Sequence, residues 1–497
     1  MKGGLMTYVL AIDQGTTSSR AILFDCKMDK IAMHQVEFQQ FYPALGWVEH
    51  DPEEIWHSVV DCCRRVIEKA GINPTEIVSI GITNQRETTL VWDKNTGNTI
   101  YPAIVWQDRR TADFCAKLES DSHIVGALQQ KTGLLLDSYF SATKISWILK
   151  NVEGARQRAE NGELLFGTID SFILWRLTAG KNHSTDVTNA SRTLLFNIHE
   201  FCWDDDLLSI FNIPKVMMPE VLACDSDYGV TKKEILGVSI PIRGTIGDQQ
   251  AATVGQCCFR QGMVKSTYGT GCFMLMNTGE KACQSQNKLL TTIAYSLNGE
   301  VAYGLEGSIF NAGTVIKWLR DQMHLITSAA ETEDLAASVI DNAEVYFVPA
   351  FTGLGAPYWD AHARGAIVGL TRDTDKAHIV RAALEAVCYR TKDLLLAMQK
   401  DSSAPITCLR VDGGMVANNW LMQFLSDILQ LQIDRPCCIE TTALGAALVA
   451  GLGSGLFSDL GDIESVWRMD RCFDHSISHN DVAHLYAGWQ KAVNRVL

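Results

Sequence analysis

The sequence DQGTTSSR at residues 13–20 decides the fold, because a related sequence, YGTGC at residues 268–272, recurs about midway along the chain. Both lie between two apolar, strand-like runs: Val9–Ile12 and Ala21–Phe24 around the first, Met263–Thr267 and Phe273–Met276 around the second. A strand, a tight glycine-threonine turn and a second strand predict a β-hairpin. Two such hairpins, one in each half, predict two domains of similar architecture that face each other.

Helices and strands alternate around these hairpins. The sequence Asp51-Pro52-Glu53-Glu54 has the N-cap, the proline and the acidic first turn of a helix, which we expect to end at Gly71. The other clear elements are a strand at Ile77–Thr83, a helix at Asp375–Gln399, a strand at Thr407–Val411 and a helix at Ala417–Gln430. This alternation predicts an α/β fold. We divide it into an N-terminal domain at residues 1–255 and a C-terminal domain at residues 256–497.

The composition argues against several classes of protein. The chain has 497 residues and a formal net charge of −14, so it is long enough for two domains and too acidic for general nucleic-acid binding. The apolar run before Asp13 lacks a cleavage site, and no run reaches the roughly 18 to 20 apolar residues of a membrane span. The 15 cysteines include no CxxC pair and no zinc-binding spacing. Reduced thiols in a cytoplasmic protein are therefore expected.

The octet at residues 13–20 combines the groups that bind a metal-phosphate ligand. Gly15 lets the backbone approach an anion closely, and successive N–H groups in such a turn form an anion-binding concavity. Asp13 is suited to hold Mg²⁺ through water molecules, and Arg20 to neutralise phosphate charge. The pentad at residues 268–272 offers the same chemistry from the other half. The alternative for both sequences is a polar turn with no function, since glycine, serine and threonine are ordinary turn residues.

A third motif, RVDGGMVANN at residues 410–419, places a carboxylate and two glycines between a strand and a helix. A backbone without side chains at a helix start is suited to accept a planar base or a ribose. The motif matches neither GxGxxG nor GxxxxGK[ST]. An ordinary strand-to-helix turn remains the alternative.

Together, the two hairpins and this turn resemble the arrangement of actin-like ATPases. Within that superfamily the chain resembles the FGGY carbohydrate kinases. YFSATKISWILKN at residues 139–151 is similar to the first signature of that family, and GAIVGL at residues 365–370 to the start of the second. Blocks at residues 81–89, 101–110, 247–252, 268–280 and 347–360 resemble the members that act on glycerol.

This resemblance implies two actin-like (ribonuclease H-like) domains with a deep interdomain cleft. It implies ATP-dependent phosphorylation of glycerol to sn-glycerol 3-phosphate, the entry step of glycerol catabolism, with ATP and Mg²⁺ as cofactors. The expected assembly is a homodimer or homotetramer, with no nucleic-acid partner and no membrane span.

Individual residues carry over from the family motifs. The resemblance assigns glycerol to Arg86, Glu87, Tyr139, Asp248 and Gln249, with an apolar wall of Trp106 and Phe273 and with Asp248 as general base. It assigns the nucleotide to Thr16, Thr17, Ser18, Arg20, Thr270, Gly313, Gly414 and Asn418, and a water-mediated Mg²⁺ to Asp13. The residues alone leave two alternatives open: Arg86 and Glu87 as a surface ion pair, and Asp248 as a helix N-cap.

Two features depart from the family. Lys317 stands where the glycerol-specific members usually have glutamine, so it either reaches a phosphate or points into solvent. The segment at residues 231–241 lacks the Gly-Thr-Arg loop that binds a sugar bisphosphate in some members, and the histidine that other members phosphorylate in this region is also missing. Neither mode of regulation is expected.

Two other functions compete with this interpretation. One is an FGGY kinase for a pentulose or a sugar alcohol, against which the block around Arg86 and the Trp106–Phe273 wall argue. The other is an actin-like ATPase that serves as a chaperone or a filament, which has no need of a polyol pocket. A metal-dependent hydrolase is unsupported, because the sequence has no HExxH and no GxSxG.

Overall fold

The computed structural model describes residues 7–360, 362–402 and 404–497. Two mixed β-sheets form the centre of the molecule, and the strands of each come from one half of the chain. The first sheet has five strands, in the order Ile242–Gly247, Ile77–Asn84, Tyr8–Gln14, Ser18–Asp25 and Lys30–Glu37. The second has seven, in the order Leu290–Leu297, Glu300–Ile309, Cys272–Gly279, Met263–Tyr268, Cys408–Asp412, Ile433–Pro436 and Met469–Phe473.

The two sheets repeat one topology. In the first, Tyr8–Gln14 pairs antiparallel with Ser18–Asp25 and parallel with Ile77–Asn84. In the second, Met263–Tyr268 pairs antiparallel with Cys272–Gly279 and parallel with Cys408–Asp412. Each sheet thus starts from a hairpin, and a parallel strand lies beside the first strand of that hairpin. The predicted hairpins and the predicted α/β architecture are confirmed.

Shorter strand pairs and helices surround the sheets. The pairs are Glu49–His50 with Ala103–Ile104, Leu90–Asp93 with Leu164–Gly167, Ser184–Asp186 with Glu220–Leu222, Phe196–Asn197 with Cys202–Trp203, and Tyr346–Val348 with Ala366–Val368. The α-helices are Pro52–Ala70, Ala112–Leu118, Ser122–Thr132, Ser141–Asn151, Ala155–Glu160, Ile169–Leu177, Val187–Ala190, Asp205–Ile210, Lys233–Leu236, Asp248–Gly255, Gly313–Asp321, Glu331–Ser338, Lys376–Asp401, Asn419–Leu429, Thr441–Gly453, Leu460–Val466 and His479–Val493. Short 3₁₀-helices occupy Pro74–Glu76, Lys215–Met217 and Gly414–Ala417.

The helix ends follow the sequence signals, with one difference. Asp51 caps the first helix by accepting a hydrogen bond from the Glu53 N–H, and the helix ends at Gly71 in the left-handed conformation. The helix predicted from Ala417 begins two residues later, at Asn419. The reason is that the two glycines at residues 413 and 414 leave the tighter 3₁₀ turn as the first turn after the strand.

The helix Thr441–Gly453 comes from the second half of the chain but packs on the first sheet. Gly81 of the strand Ile77–Asn84 permits this contact, because a Cβ atom there would collide with the Ala446 carbonyl of the helix. Ser79 of the first sheet donates a hydrogen bond to the Ala450 carbonyl of the same helix, at 3.1 Å. The two halves therefore share a core, and the domain boundary at residue 255 stays a prediction. Across the described residues, every helix is too short or too polar to cross a membrane.

Candidate active site

The carboxyl ends of three parallel strands bring predicted site residues of different roles together. Asp13 lies opposite Thr83 in the strand register, and Ile246 lies opposite the same Thr83 from the other side. Asp13, Arg86 and Asp248 therefore leave the same edge of the first sheet, because parallel strands end at a common edge. This edge faces the second sheet, whose residue Glu306 contacts Arg86.

A buried network of charges joins the two sheets at this edge. Arg86 donates two hydrogen bonds to Glu306, at 2.5 and 3.0 Å, and its Nε lies 3.1 Å from Asp248 Oδ1. Arg192 donates to Glu87 at 2.7 Å and to Glu306 at 2.9 Å. Arg86 and Glu87 are only 3% and 1% exposed, so their interpretation as a surface ion pair is wrong.

Burial and ion pairing act in opposite directions on these carboxyl groups. Burial alone would raise the pKa of Glu306, but Arg192 and Arg86 lower it to about 2. Burial raises the pKa of Glu87, against the opposing effect of Arg86 and Arg192. Glu306 is the fixed anion of the network. Because Glu87 uses one oxygen for Arg192, its second oxygen remains available as an acceptor for a ligand hydroxyl.

Three half-buried aromatic rings line the site beside this network. The ring of Trp106 packs edge-to-face against Tyr139, at 5.4 Å between centroids, and against Phe273, at 6.4 Å. The Trp106 Nε1–H donates to the Thr16 hydroxyl at 3.0 Å. One residue therefore contacts the turn of the first hairpin and the second strand of the second hairpin, so the two hairpins lie close together.

Asp248 is the first residue of its helix, and Gly247 occupies the N-cap position. The N-cap interpretation of Asp248 is therefore wrong, and its side chain remains about one third exposed, at 31%. A hydrogen bond fixes the turn that carries Asp248: the Gly247 N–H donates to the Thr188 hydroxyl at 2.9 Å. Thr188 in turn donates to the buried Asp186. The carboxylate of Asp248 thus has a fixed position at an accessible place.

The first hairpin offers free hydroxyl hydrogens at its turn. The Thr16 hydroxyl accepts from Trp106, and the Ser18 hydroxyl accepts from Gln35 at 3.0 Å, so both keep a hydrogen to donate. Thr17 is exposed at the tip of the turn. The assignment of these three residues to a phosphate ligand is untested and stays a prediction.

The turn of the second hairpin is tied to the start of the helix Gly313–Asp321. The Gly313 N–H donates to the Gly269 carbonyl at 3.0 Å, and the Thr314 N–H and hydroxyl both donate to the Thr270 carbonyl, at 3.1 and 2.9 Å. The Gly313 N–H is thus already used within the protein. Thr270 itself is exposed, so its own hydroxyl remains available.

Arg20 and Asp13 are paired in this structure. Arg20 forms an ion pair with Glu440, and its Nε lies 3.8 Å from Asp13. Burial raises the pKa of Asp13 to about 6, Arg20 opposes this shift, and the charges of Asp248 and Glu440 add to it. A cation bound beside Asp13 would, like Arg20, favour its charged form.

The turn after Asp412 contains two adjacent glycines that have different roles. Gly413 has a φ of 92° and a ψ of 173°, and a Cβ atom there would lie 2.5 Å from the Tyr268 carbonyl oxygen. A Cβ atom on Gly414 would meet nothing within 4 Å, so this backbone faces open space. Asn418 caps the next helix through the Leu421 N–H, at 2.8 Å, and this position fixes its side chain near the same turn.

A Cβ atom on Gly414 would meet no protein atom within 4 Å, so Gly414→Ala is expected to leave the melting temperature unchanged; if the turn binds the predicted nucleotide, the KM for ATP should rise several-fold. Gly413→Ala is the matched control. It is expected to lower the free energy of unfolding by about 2 kcal/mol or more, since its conformation is almost restricted to glycine. Steady-state kinetics and thermal melts of both variants test this. A Gly414→Ala enzyme with wild-type KM would contradict a nucleotide at this turn.

Sequence reasoning missed three buried residues of the site: Arg192, Lys265 and Glu306. A charged residue within an otherwise apolar run was the available signal, as in GLEGSIF at residues 304–310, where Glu306 stands between two glycines. Lys317 is exposed on its helix, and both alternatives for this side chain stay predictions.

Comparison with known proteins identifies the family. The FGGY family of carbohydrate kinases matches the chain in two parts, with its N-terminal domain at residues 8–255 and its C-terminal domain at residues 264–454. The chain therefore belongs to the FGGY family of carbohydrate kinases.

Within that family, close relatives of the chain are glycerol kinases. It is 58% identical over 489 residues to the glycerol kinase of Alteromonas mediterranea, with 98% of this chain and 99% of the relative covered. It is 56% identical over 492 residues to glycerol kinase 2 of Thermotoga maritima, with 99% of each covered.

Solved structures agree with the fold. The crystal structure of Plasmodium falciparum glycerol kinase with ADP superposes with a TM-score of 0.94 at 38% identity, covering 99% of this chain and 98% of that one. A ligand-bound xylulose kinase from Lactobacillus acidophilus gives a TM-score of 0.87 at 21% identity, with 98% of each chain covered, which shows a common fold only.

Proposed function

We propose that the protein is an ATP-dependent kinase that transfers the γ-phosphoryl group of ATP to glycerol and forms sn-glycerol 3-phosphate. The relatives named glycerol kinase support the substrate, and the ADP in the Plasmodium falciparum structure supports the nucleotide. We further propose that Asp248 is the general base and that the enzyme works in the cytoplasm, as a homodimer or homotetramer, at the entry of glycerol catabolism.

The observation that carries this proposal is the pairing of charges beneath the aromatic wall. Arg86 is neutralised by Glu306 and Asp248, and Glu87 is paired with Arg192. A charged acceptor such as gluconate would need an unpaired opposite charge, whereas Arg86, Arg192 and Glu87 are each already paired within the protein. A small uncharged alcohol needs only the remaining donors and acceptors and an apolar face for its carbon atoms. Glycerol meets both requirements.

The reaction follows from the position of the carboxylate. Asp248 accepts the proton of a terminal glycerol hydroxyl as the oxygen attacks the γ-phosphorus, and the bond from that phosphorus to the β-phosphate bridging oxygen breaks. ADP leaves with the electron pair of the broken bond. Arg86 lies 3.1 Å from Asp248 and keeps the carboxylate oriented. Positioning and electrostatic stabilisation account for most of the rate enhancement in such transfers.

We propose Asp13 as the carboxylate for a magnesium ion bound with ATP. Burial raises the pKa of Asp13, and the charge of Asp248 adds to this shift, so a bound cation would favour the charged carboxylate. Mg²⁺ typically uses one or two carboxylates together with water and substrate phosphates. Such an ion supplies neutralisation of the phosphate charge. We propose that Asp13 holds it through water, while the hydroxyl groups of Thr16, Thr17, Ser18 and Thr270 bind the phosphates, Gly313 flanks them, and Gly414 and Asn418 border the adenosine.

ADP release by the purified protein with MgATP tests the acceptor. Glycerol is expected to give a kcat/KM at least about 100-fold above D-xylulose and gluconate, because a longer acceptor must displace the aromatic wall or leave polar groups unpaired. Faster turnover of xylulose would assign the enzyme to another member of the family. ADP release at the same rate without any acceptor would favour an actin-like ATPase.

A further inference from the structure

A buried lysine that contacts Gln249 has no part in the mechanism described so far. Lys265 lies on the strand Met263–Tyr268 that leads into the turn of the second hairpin, and it is fully buried. Its ammonium group donates to the side-chain oxygen of Gln249, to the Thr267 hydroxyl at 3.2 Å and to the Phe273 carbonyl at 3.4 Å. These three bonds use all three hydrogens of the ammonium group.

Burial and the neighbouring charges act in opposite directions on Lys265. Burial lowers the pKa of Lys265, while the nearby carboxylates of Asp412, Glu306 and Asp248 oppose this shift. Within the described part of the chain, none of the three is near enough to form a direct ion pair. Lys265 thus donates its hydrogen bonds to uncharged acceptors. Among these three acceptors, only Gln249 contributes a side-chain amide.

This contact fixes the orientation of the Gln249 amide. The atom of Gln249 that faces Lys265 is the carbonyl oxygen, which accepts a hydrogen bond from the Lys265 Nζ. The NH₂ group therefore lies on the opposite side. It has no hydrogen-bond partner among the described residues, and Gln249 is half-buried directly after Asp248. The site gains a hydrogen-bond donor of defined direction beside the general base.

We propose that Lys265 is a positioning residue for the acceptor substrate: it holds the amide of Gln249 with the NH₂ group towards the cleft, where this group donates to a hydroxyl oxygen of glycerol. The inference rests on the proposed function and deepens it. The donor complements Glu87 and Asp248, which only accept. Since Lys265 also binds the Phe273 carbonyl, one side chain of the second half orients both a polar contact and part of the apolar wall.

The first test is a double-mutant cycle. Lys265→Met is expected to raise the KM for glycerol about tenfold, the effect of one lost oriented hydrogen bond, with kcat changed much less. In the Gln249→Ala background the same substitution should add less than about twofold, because its effect passes through the amide. An equal factor in both backgrounds would mean that Lys265 only supports the fold and would overturn the proposal.

The second test leaves the lysine in place, so it does not depend on the stability of Lys265→Met. Gln249→Glu keeps an acceptor for Lys265 and removes the NH₂ group. Its melting temperature is expected to stay at or above that of the wild type, while the KM for glycerol rises about tenfold or more. A wild-type KM in this variant would show that the donor is not used.

Two controls separate the possible outcomes. Lys392→Met removes a half-buried lysine that donates to the Ile428 carbonyl far from the cleft, and it should leave the KM for glycerol unchanged. The wild type must release ADP in a glycerol-dependent manner. If it does not, the proposed function fails. If it does and the cycle is additive, only the role of Lys265 fails.

Discussion

Asp248→Asn is expected to lower kcat for glycerol phosphorylation about 10³-fold, while the KM values for glycerol and ATP change less than about threefold. A positioned general base contributes roughly 10² to 10⁴ to the rate. Asparagine has nearly the same shape as aspartate but cannot accept the proton of the attacking hydroxyl. The substrates should therefore still bind, and the chemical step should be lost.

The measurement is ADP release with and without glycerol. Asp205→Asn is a matched control, since Asp205 is also the first residue of a helix and lies beside a cationic partner, Lys215, at 2.7 Å. This variant should keep wild-type kinetics. The assignment of Asp248 as base is falsified if its variant retains most of the activity. A glycerol-independent ATP hydrolysis that survives the substitution would point instead to an ATPase without an acceptor.

The elements that local chemistry determines were predictable from the sequence. The first hairpin turns at Gly15, and the second at Gly269 and Gly271, where tight turns need such residues. The helix that follows Asp51 has its cap, its proline and its terminal glycine in the sequence itself. Asp248 was placed at the end of a strand because an apolar run stops there. These signals involve residues that are neighbours along the chain, so they can be recognised in a single sequence.

The parts of the site that depend on long-range packing were not predictable. Glu306 meets Arg86 across 220 residues of chain, and Arg192 meets Glu87 across 105. Nothing in the spacing of these residues indicates that they form one network. The same holds for the helix Thr441–Gly453, whose apolar sequence gives no sign that it packs on the sheet of the other half. Only the tertiary fold makes Arg86 a buried group.

Arg20 illustrates a different limit of prediction from sequence, namely the choice between two binding partners. Its sequence context predicted a phosphate contact, yet the structure pairs it with Glu440 of the second half. Both statements are compatible if a phosphate replaces Glu440 as its partner, since a guanidinium group has five donors. The identity of the preferred partner depends on which ligand is bound, and the sequence does not contain this information.

Glu306→Gln is expected to reduce both the stability and the activity of the enzyme. Glu306 accepts two hydrogen bonds from Arg86 and one from Arg192 while it is almost fully buried. Because its pKa is lowered to about 2, its ionised form stabilises the fold above the unfolded pKa of about 4.5, and this contribution is lost as the pH falls towards 2. Removing this charge leaves two buried guanidinium groups undercompensated, which costs about 3 kcal/mol or more of unfolding free energy.

The effect on activity shows whether Glu306 positions Arg86 for the reaction or only stabilises the fold. Without Glu306, Arg86 is free to move towards Asp248 and Glu87, so kcat/KM for glycerol should fall about 100-fold or more, because small displacements of positioning residues have large effects on rate. Glu385→Gln is the matched control: Glu385 is equally buried and binds Arg381 at 2.8 Å, away from the cleft. Denaturant unfolding should give a smaller loss for Glu385→Gln, because burial raises the pKa of Glu385, and kinetics should show a loss for Glu306→Gln only. If the two variants kept the same kcat/KM, the Glu306 network would support the fold without positioning the substrate, since a glutamine would then hold Arg86 as well as a carboxylate does.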